Sequence, residues 1–344
     1  MTPGLYRFRK GRVEAVGPDE PLRDDFRILT PGFVDLHIHG GFGIDVMSAS
    51  SEDLRVLDEK LRGCGYEGWL ATTVTCAPGD ALRVLEALPP ERETGILGLH
   101  LEGPFISPRH PGAQPPPFIV EYTGRGTDWD AVLDHPRLRL VTLAPEIPGG
   151  LELTRRLVER GVIVSLGHSD ATYDQTRVAY AAGARHVTHT FNAMRPLHHR
   201  EAGLVGAALV DEDLNAEIIY DRLHVGEPAA RLFFANVPMG RQLAVSDGTM
   251  ATGLSRGTRL EMWGLDCVVG DGEVRLVEGG GLAGSAITLL DAFRNIARDH
   301  GWAFAVAACS IAPRAALGLG PPKTWLAFSP GLEAFEILRY APPR

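Results

Sequence analysis

The sequence predicts an α/β protein: a (β/α)8 TIM-like barrel with a small accessory β-sandwich formed by the N- and C-terminal segments. Three observations carry this expectation. Short apolar runs alternate with helical patterns between residues 33 and 245, and near-continuous apolar strands of that kind belong to parallel sheets covered on both faces. Polar residues suited to chemistry fall at or just past the C-terminal ends of separate runs; a barrel gathers those ends around one mouth, where an open sheet scatters them. The 344 residues, 44% hydrophobic and 22% charged, are enough for one large domain with a substantial core.

The elements follow in order. Residues 1–30 carry short apolar pieces broken by Gly, Pro and charge, and with residues 314–344 they are assigned to a reduced β-sandwich; residues 31–313 are assigned to the barrel. The strand candidates are 33–36, 69–74, 96–101, 138–143, 162–166, 186–188, 216–219 and 242–245. Helical patterns lie at 51–62, 80–88, 151–160, 172–182 and 228–236, with a further helix expected over 282–298 and another near 303–316. The 40 glycines and 25 prolines follow no triplet period, so they mark turns in a compact domain rather than a collagen.

Composition narrows the function. With 34 Lys and Arg against 43 Asp and Glu, the formal charge is −9, which argues against a nucleic-acid partner but leaves room for a small anion held by local donors. The four cysteines form no CxxC and are too sparse for a disulfide scaffold, which fits a cytoplasmic address. The N-terminal run MTPGLYRFRKGRVEAVG has no apolar h-region, and no stretch reaches 18 consecutive apolar residues, so neither a signal peptide nor a membrane span is expected.

His37 and His39 close the first strand candidate at i and i+2, a spacing that puts both imidazoles on one face of an extended segment. Glu102, His168 and His189 end later strands, and Asp247 ends the eighth. Taken singly, each reads as an ordinary strand-end or turn residue. Together, four histidines and an acidic residue match the nitrogen and oxygen ligands of Zn²⁺ or a similar divalent ion. Asp247 beside such a site either moves a proton or ligates the ion, while the metal lowers the pKa of bound water and polarises the attacked carbonyl. The residues thus point to metal-assisted hydrolysis of a C–N or ester bond. His186, close to His189, is expected to face the barrel exterior or a neighbouring helix.

The chain resembles the amidohydrolase superfamily and, within it, the N-acetylglucosamine-6-phosphate deacetylase family. The matching stretches are PGFVDLHIHG, HLEGPFISP, LGHSDATYDQ, THTFNAMRPLHHREAGLVGAAL, AVSDGTM and GLAGSAITLLDAFRN. PGFVDLHIHG marks only the broad superfamily; HLEGPF, GHSDATYDQ and THTFNAM are more specific. The resemblance implies metal ligation by Glu102, His168 and His189, a second ion at His37 and His39, and Asp247 as catalytic base and acid. It implies one or two divalent ions per subunit, zinc first, with iron, manganese or cobalt as alternatives. Asn192, Arg200 and His224 are implied to bind an amino-sugar phosphate, with Arg200 reaching across a homodimer interface. His198 and His199 are expected to be loop residues.

Three departures stand out. Arg222 replaces a usual glycine in IIYDRLHVG and is expected either to crowd the sugar or to add a phosphate donor. The loop RHPGAQPPPFIVEY differs from the commoner Lys-Gly-Ala-His pattern, with His110 nearby, and both chain ends are short. The competing readings are deacetylation of the galactosamine 6-phosphate epimer, a cyclic-amidase or deaminase of the same superfamily, and a non-catalytic sugar-phosphate-binding protein.

Overall fold

The computed structural model describes residues 6–9, 12–15, 28–329 and 331–339. Eight parallel strands form one sheet in sequential order: Phe33–Ile38 (β1), Tyr66–Thr73 (β2), Ile96–Glu102 (β3), Leu138–Leu143 (β4), Ile163–Leu166 (β5), His186–Val187 (β6), Asn215–Ile219 (β7) and Gln242–Val245 (β8). A helix follows each strand: Ser51–Gly63 (α1), Pro78–Ala87 (α2), Asp130–Leu133 (α3), Gly150–Glu159 (α4), Tyr173–Ala181 (α5), Gly203–Val210 (α6), Glu227–Asn236 (α7) and Leu289–Asp299 (α8). Local sequence starts several of them. Ser50 with Asp53, Thr172 with Gln175, and Thr288 with Asp291 form reciprocal capping boxes at α1, α5 and α8. Pro78 and Pro228 occupy the first turns of α2 and α7, where a missing N–H costs nothing.

Hydrogen bonds close the ring at its C-terminal rim. Asp247 N donates to His37 O at 3.0 Å, and His39 N and Gly40 N donate to Gly248 O at 2.8 and 3.0 Å. The buried Asp35 carboxylate accepts from Ser246 N at 3.2 Å, tying β1 to the end of β8 a second time. Closure therefore delivers Asp247 to the two histidines of β1.

The interior is layered. Val34, Leu36, Leu70, Leu140, Ile219, Leu243 and Val245 form a dry floor, packed beneath by Ala312 and Leu317 of the helical segment 302–317. Above the floor, hydroxyls and one imidazole run across the strands: His100 Nε2 to Thr142 Oγ1 at 2.8 Å, Thr142 to Thr188 at 2.7 Å, and Thr188 to Ser165 at 2.6 Å. Each of these four side chains has a partner, which burial of such groups requires. Asp35 pairs with Trp69 and Ile38 with Ala71, so β1 carries one extra residue between them. That bulge turns His37 and His39 inward even though Leu36 also points into the floor, the kind of re-aiming that bulges provide.

One sequence expectation is corrected. The segment 282–298 is not a single helix: Leu282–Ser285 is a strand, and α8 begins after its cap at Thr288. Small apolar residues in LAGSAI read as helix, but Ser285 N bonds to Asp247 O at 2.9 Å and Thr249 N to Ser285 O at 3.1 Å. This strand belongs to an antiparallel sheet with Arg259–Met262, Leu265–Val269 and Glu273–Leu276, which the sequence reading did not anticipate. Its small core contains Met262, Cys267, Val269, Val274 and Ala283. Ile28–Pro31, Thr324–Phe328 and Phe335–Arg339 form a separate antiparallel sheet. Phe293 of α8 stacks on Phe328 at 4.9 Å and lies 5.1 Å from Phe33, anchoring that sheet to the barrel. Tyr6–Arg9 and Arg12–Ala15 pair antiparallel. No helix among the described residues is long and apolar enough to cross a membrane.

Leu36 is fully buried in the floor. Leu36→Ala is expected to lower unfolding free energy by about 2–5 kcal/mol, measured by urea denaturation.

Candidate metal centre

The strand ends bring six of the sequence-predicted residues into one buried cluster. His37, His39 and Asp247 form one group and Glu102, His168 and His189 another, with the ligand atoms of each group within 4.8 Å of one another. Glu102 joins them. Its Oε1 lies 3.1 Å from both His168 Nε2 and His189 Nε2 and 3.3 Å from His37 Nε2, while Oε2 lies 3.3 Å from His39 Nε2. Asp247 Oδ1 stands 3.2 Å from His39 Nε2 and 3.5 Å from His37 Nε2.

This arrangement fits a metal. His37 and His39 face each other through Nε2 atoms 3.1 Å apart, and His168 and His189 do the same at 3.1 Å. Two nitrogens bound at 2.0–2.1 Å in a tetrahedral shell lie roughly 3.3 Å apart, so both pairs are spaced for a shared ion. The outer nitrogens of two rings are held: His39 Nδ1 faces Thr72 O at 3.3 Å and His168 Nδ1 faces His110 O at 3.0 Å. A donor N–H there leaves Nε2 free to ligate.

The electrostatics agree with the chemistry. Burial alone raises carboxyl pKa values, yet the charge of His37 and the hydrogen bonds of His168 and His189 hold Glu102 well below the usual carboxylate range. Asp247 is likewise lowered against its burial by His37 and by the hydrogen bond to His39, so it is ionised and able to accept a proton. Burial opposes the charging of His39, but Asp247 and Glu102 overcome it and push His39 up to about 9. His168, His189 and Asp247 sit at positive φ, at 46°, 28° and 48°. Left-handed backbone at three non-glycine residues is strain concentrated at a functional site.

The substrate-binding residues implied by the sequence are placed unequally. Asn192 is half-buried beside the cluster, its amide donating to His189 O at 3.2 Å. His224 is half-buried; its Nδ1 lies 2.6 Å from Asp221 Oδ2, and although burial opposes it, Asp221 and then Asp247 raise its pKa. Arg200 is on an exposed loop, its guanidinium 2.8 Å from His199 Nε2, and no polar contact joins it to the cluster among the described residues. His198 and His199 are exposed on the same loop. Arg222 is exposed, and its Nε and Nη2 grip both oxygens of Asp299 at 2.7 Å, with the backbone at φ 69°. His186 is buried at the start of β6 against Asn215, at 3.0 Å.

The sequence reading missed two residues that shape the cluster. Gln114 donates from Nε2 to Glu102 Oε2 at 2.5 Å while its Oε1 accepts from Thr75 N at 2.6 Å. It occupies the last position of PGAQ, where the commoner motif has histidine, so matching the motif position by position finds it. Gly112, at φ +57°, lets this loop approach His168: a Cβ there would stand 3.2 Å from His168 Cε1. His100 is the second. It carries the ring of His37 at 4.6 Å between centroids, and burial first, then the charge of His37, keep it neutral.

Comparison with known proteins places this geometry. Residues 28–323 match the amidohydrolase family. An N-acetylglucosamine-6-phosphate deacetylase from Lysinibacillus sphaericus is 36% identical over 301 residues, 86% of this chain and 77% of that one. An N-acetylgalactosamine-6-phosphate deacetylase from Escherichia coli O157:H7 is 36% identical over 322 residues, 91% of this chain and 85% of that one. Among solved structures, an aspartate-to-alanine mutant of the Mycobacterium smegmatis N-acetyl-D-glucosamine-6-phosphate deacetylase, in complex with N-acetyl-D-glucosamine-6-phosphate, superposes with a TM-score of 0.86 at 33% identity. That match covers 95% of this chain and 90% of the other.

Two outcomes are expected. Gln114→Ala frees Glu102 Oε2 and lowers divalent-ion affinity about 10–100-fold, read by competition with a chelator. In metal-stripped protein, the protonated His39 stabilises the fold fully below its unfolded value of 6.5, and that contribution is lost as pH rises through about 9. Tm therefore falls between these pH values after chelation, and falls less in zinc-loaded protein.

Proposed function

Because this chain belongs to the amidohydrolase family and, within it, to the N-acetylglucosamine-6-phosphate deacetylases, we propose that it hydrolyses N-acetyl-D-glucosamine 6-phosphate to glucosamine 6-phosphate and acetate. The observation that carries this reading is the buried Asp247, whose Oδ1 lies 3.2 Å from a histidine of a two-group cluster suited to metal.

Glu102, His168 and His189 would hold one divalent ion, and His37 and His39, beside Asp247, a second. An ion bound there supplies Lewis-acid polarisation of the acetyl carbonyl and lowers the pKa of a coordinated water. Zinc is the ion we assign, because the donor set is imidazole and carboxylate. Asp247 accepts the proton of the attacking water at its carboxylate. As the C–N bond breaks, Asp247 returns that proton to the departing amine nitrogen, so the carboxylate ends as it began. His224, its Nδ1 fixed by Asp221, keeps Nε2 for an oxygen of the substrate. Asn192 is assigned to the sugar. The guanidinium of Arg200 matches phosphate geometry, and its exposed loop supports a role across the interface of a homodimer. We assign the cytoplasm as the compartment, on the free state of Cys64, Cys76, Cys267 and Cys309.

A second reading is deacetylation of the galactosamine epimer, favoured by the 36% identity to the Escherichia coli relative of that name. Acetate release from both N-acetylhexosamine 6-phosphates and from the unphosphorylated sugars separates the two. The primary reading expects the highest kcat/KM with the glucosamine compound, and no acetate from any of them with metal bound contradicts both. Asp247→Asn is expected to lower kcat about 10²–10⁴-fold while the ions remain bound; near-full activity would remove Asp247 from its role.

A further inference from the structure

Glu217 lies on β7 beneath the metal centre and is fully buried. A carboxylate at such depth is costly unless nearby donors or cations compensate it. Its Oε2 accepts from the backbone N–H of His189 at 3.2 Å and stands 3.6 Å from Nδ1 of His37. That second distance is just beyond hydrogen-bonding range. His37 Nδ1 and Glu217 Oε1 are both buried without a hydrogen-bond partner among the described residues.

One side chain thus touches both ligand groups. At His189 it holds the N–H of a residue whose φ is 28°. At His37 it faces the nitrogen left over when Nε2 points at Glu102 and Asp247. The other three histidines offer no such arrangement with a carboxylate through Nδ1. His39 and His168 use backbone carbonyls, and His189 Nδ1 has no partner.

We infer that Glu217 is a positioning residue that holds the Nδ1–H of His37, so that Nε2 is presented to the metal, and couples this ring to the His189 backbone. The inference rests on the metal reading of the site. When the ion is bound, Nε2 ligates, Nδ1 carries the only ring proton, and a small rotation closes the gap to Oε2. Such carboxylate–histidine pairs orient the ring and raise its basicity, and losing the outer partner typically costs 10–100-fold in metal affinity.

The test uses zinc-loaded full-length protein, with ion affinity read by chelator competition and the His37 Nδ1–H read by proton and nitrogen NMR. In the wild type this proton is expected to resonate downfield and exchange slowly with water. Glu217→Ala is expected to weaken one of the two bound ions about 10–100-fold and to shift the His37 proton upfield with faster exchange; Glu217→Gln is expected to fall between. A role confined to supporting the His189 backbone leaves the His37 signal unmoved, so an unmoved signal, or wild-type affinity in both variants, overturns the inference. Should the variants not fold, a fast-exchanging Nδ1–H in the wild type overturns it equally. Wild-type protein that takes up no divalent ion is a different failure, since it removes the metal reading itself.

Discussion

The structure depends on one buried carboxylate meeting several imidazoles. Glu102 has Oε1 within 3.3 Å of His37, His168 and His189, and Oε2 at 3.3 Å from His39. In a site this dry, neither the carboxylate nor the rings are tolerable alone. Their shared answer is positive charge at the centre, supplied by protons in the metal-free protein and by divalent ions in the loaded one. Competition between protons and metal for the same lone pairs links ion binding to pH and to folding.

The remainder of the fold serves to hold these groups close. β1 and the end of β8 are hydrogen-bonded at the rim, and those bonds bring Asp247 to His37. The hydroxyl and imidazole layer lies beneath the rings, with His100 kept neutral under His37. From above, the PGAQ loop applies Gln114 to the free edge of Glu102, and the four-stranded sheet braces Asp247 through Ser285. Left-handed backbone at His168, His189 and Asp247 is the local cost of that concentration.

How much of this was legible in the sequence follows from which physical signal each part carries. The eight strands were readable because strands covered on both faces are written as apolar runs bounded by turns. The histidines and carboxylates were readable because they interrupt those runs at corresponding ends. Glu217 was not, since its importance lies in what it touches across 28 residues of chain, and Gln114 shows only through its place in PGAQ. The strand at 282–285 was misread as helix because small apolar residues suit both states, and only its pairing with the rim at 247–249 decides between them. Arg222 shows the same limit: an arginine where glycine is usual invites a binding role until Asp299, on α8, is seen to pair with its Nε and Nη2.

The central claim is that the two residue groups at one mouth would each hold a divalent ion, Glu102 with His168 and His189, and His37 with His39 beside Asp247. The most direct measurement is an anomalous difference map from crystals of zinc-loaded protein, recorded on both sides of the zinc absorption edge. Two peaks are predicted, one among Glu102, His168 and His189 and one among His37, His39 and Asp247. No peak at either group, or zinc bound only elsewhere on the surface, would contradict it.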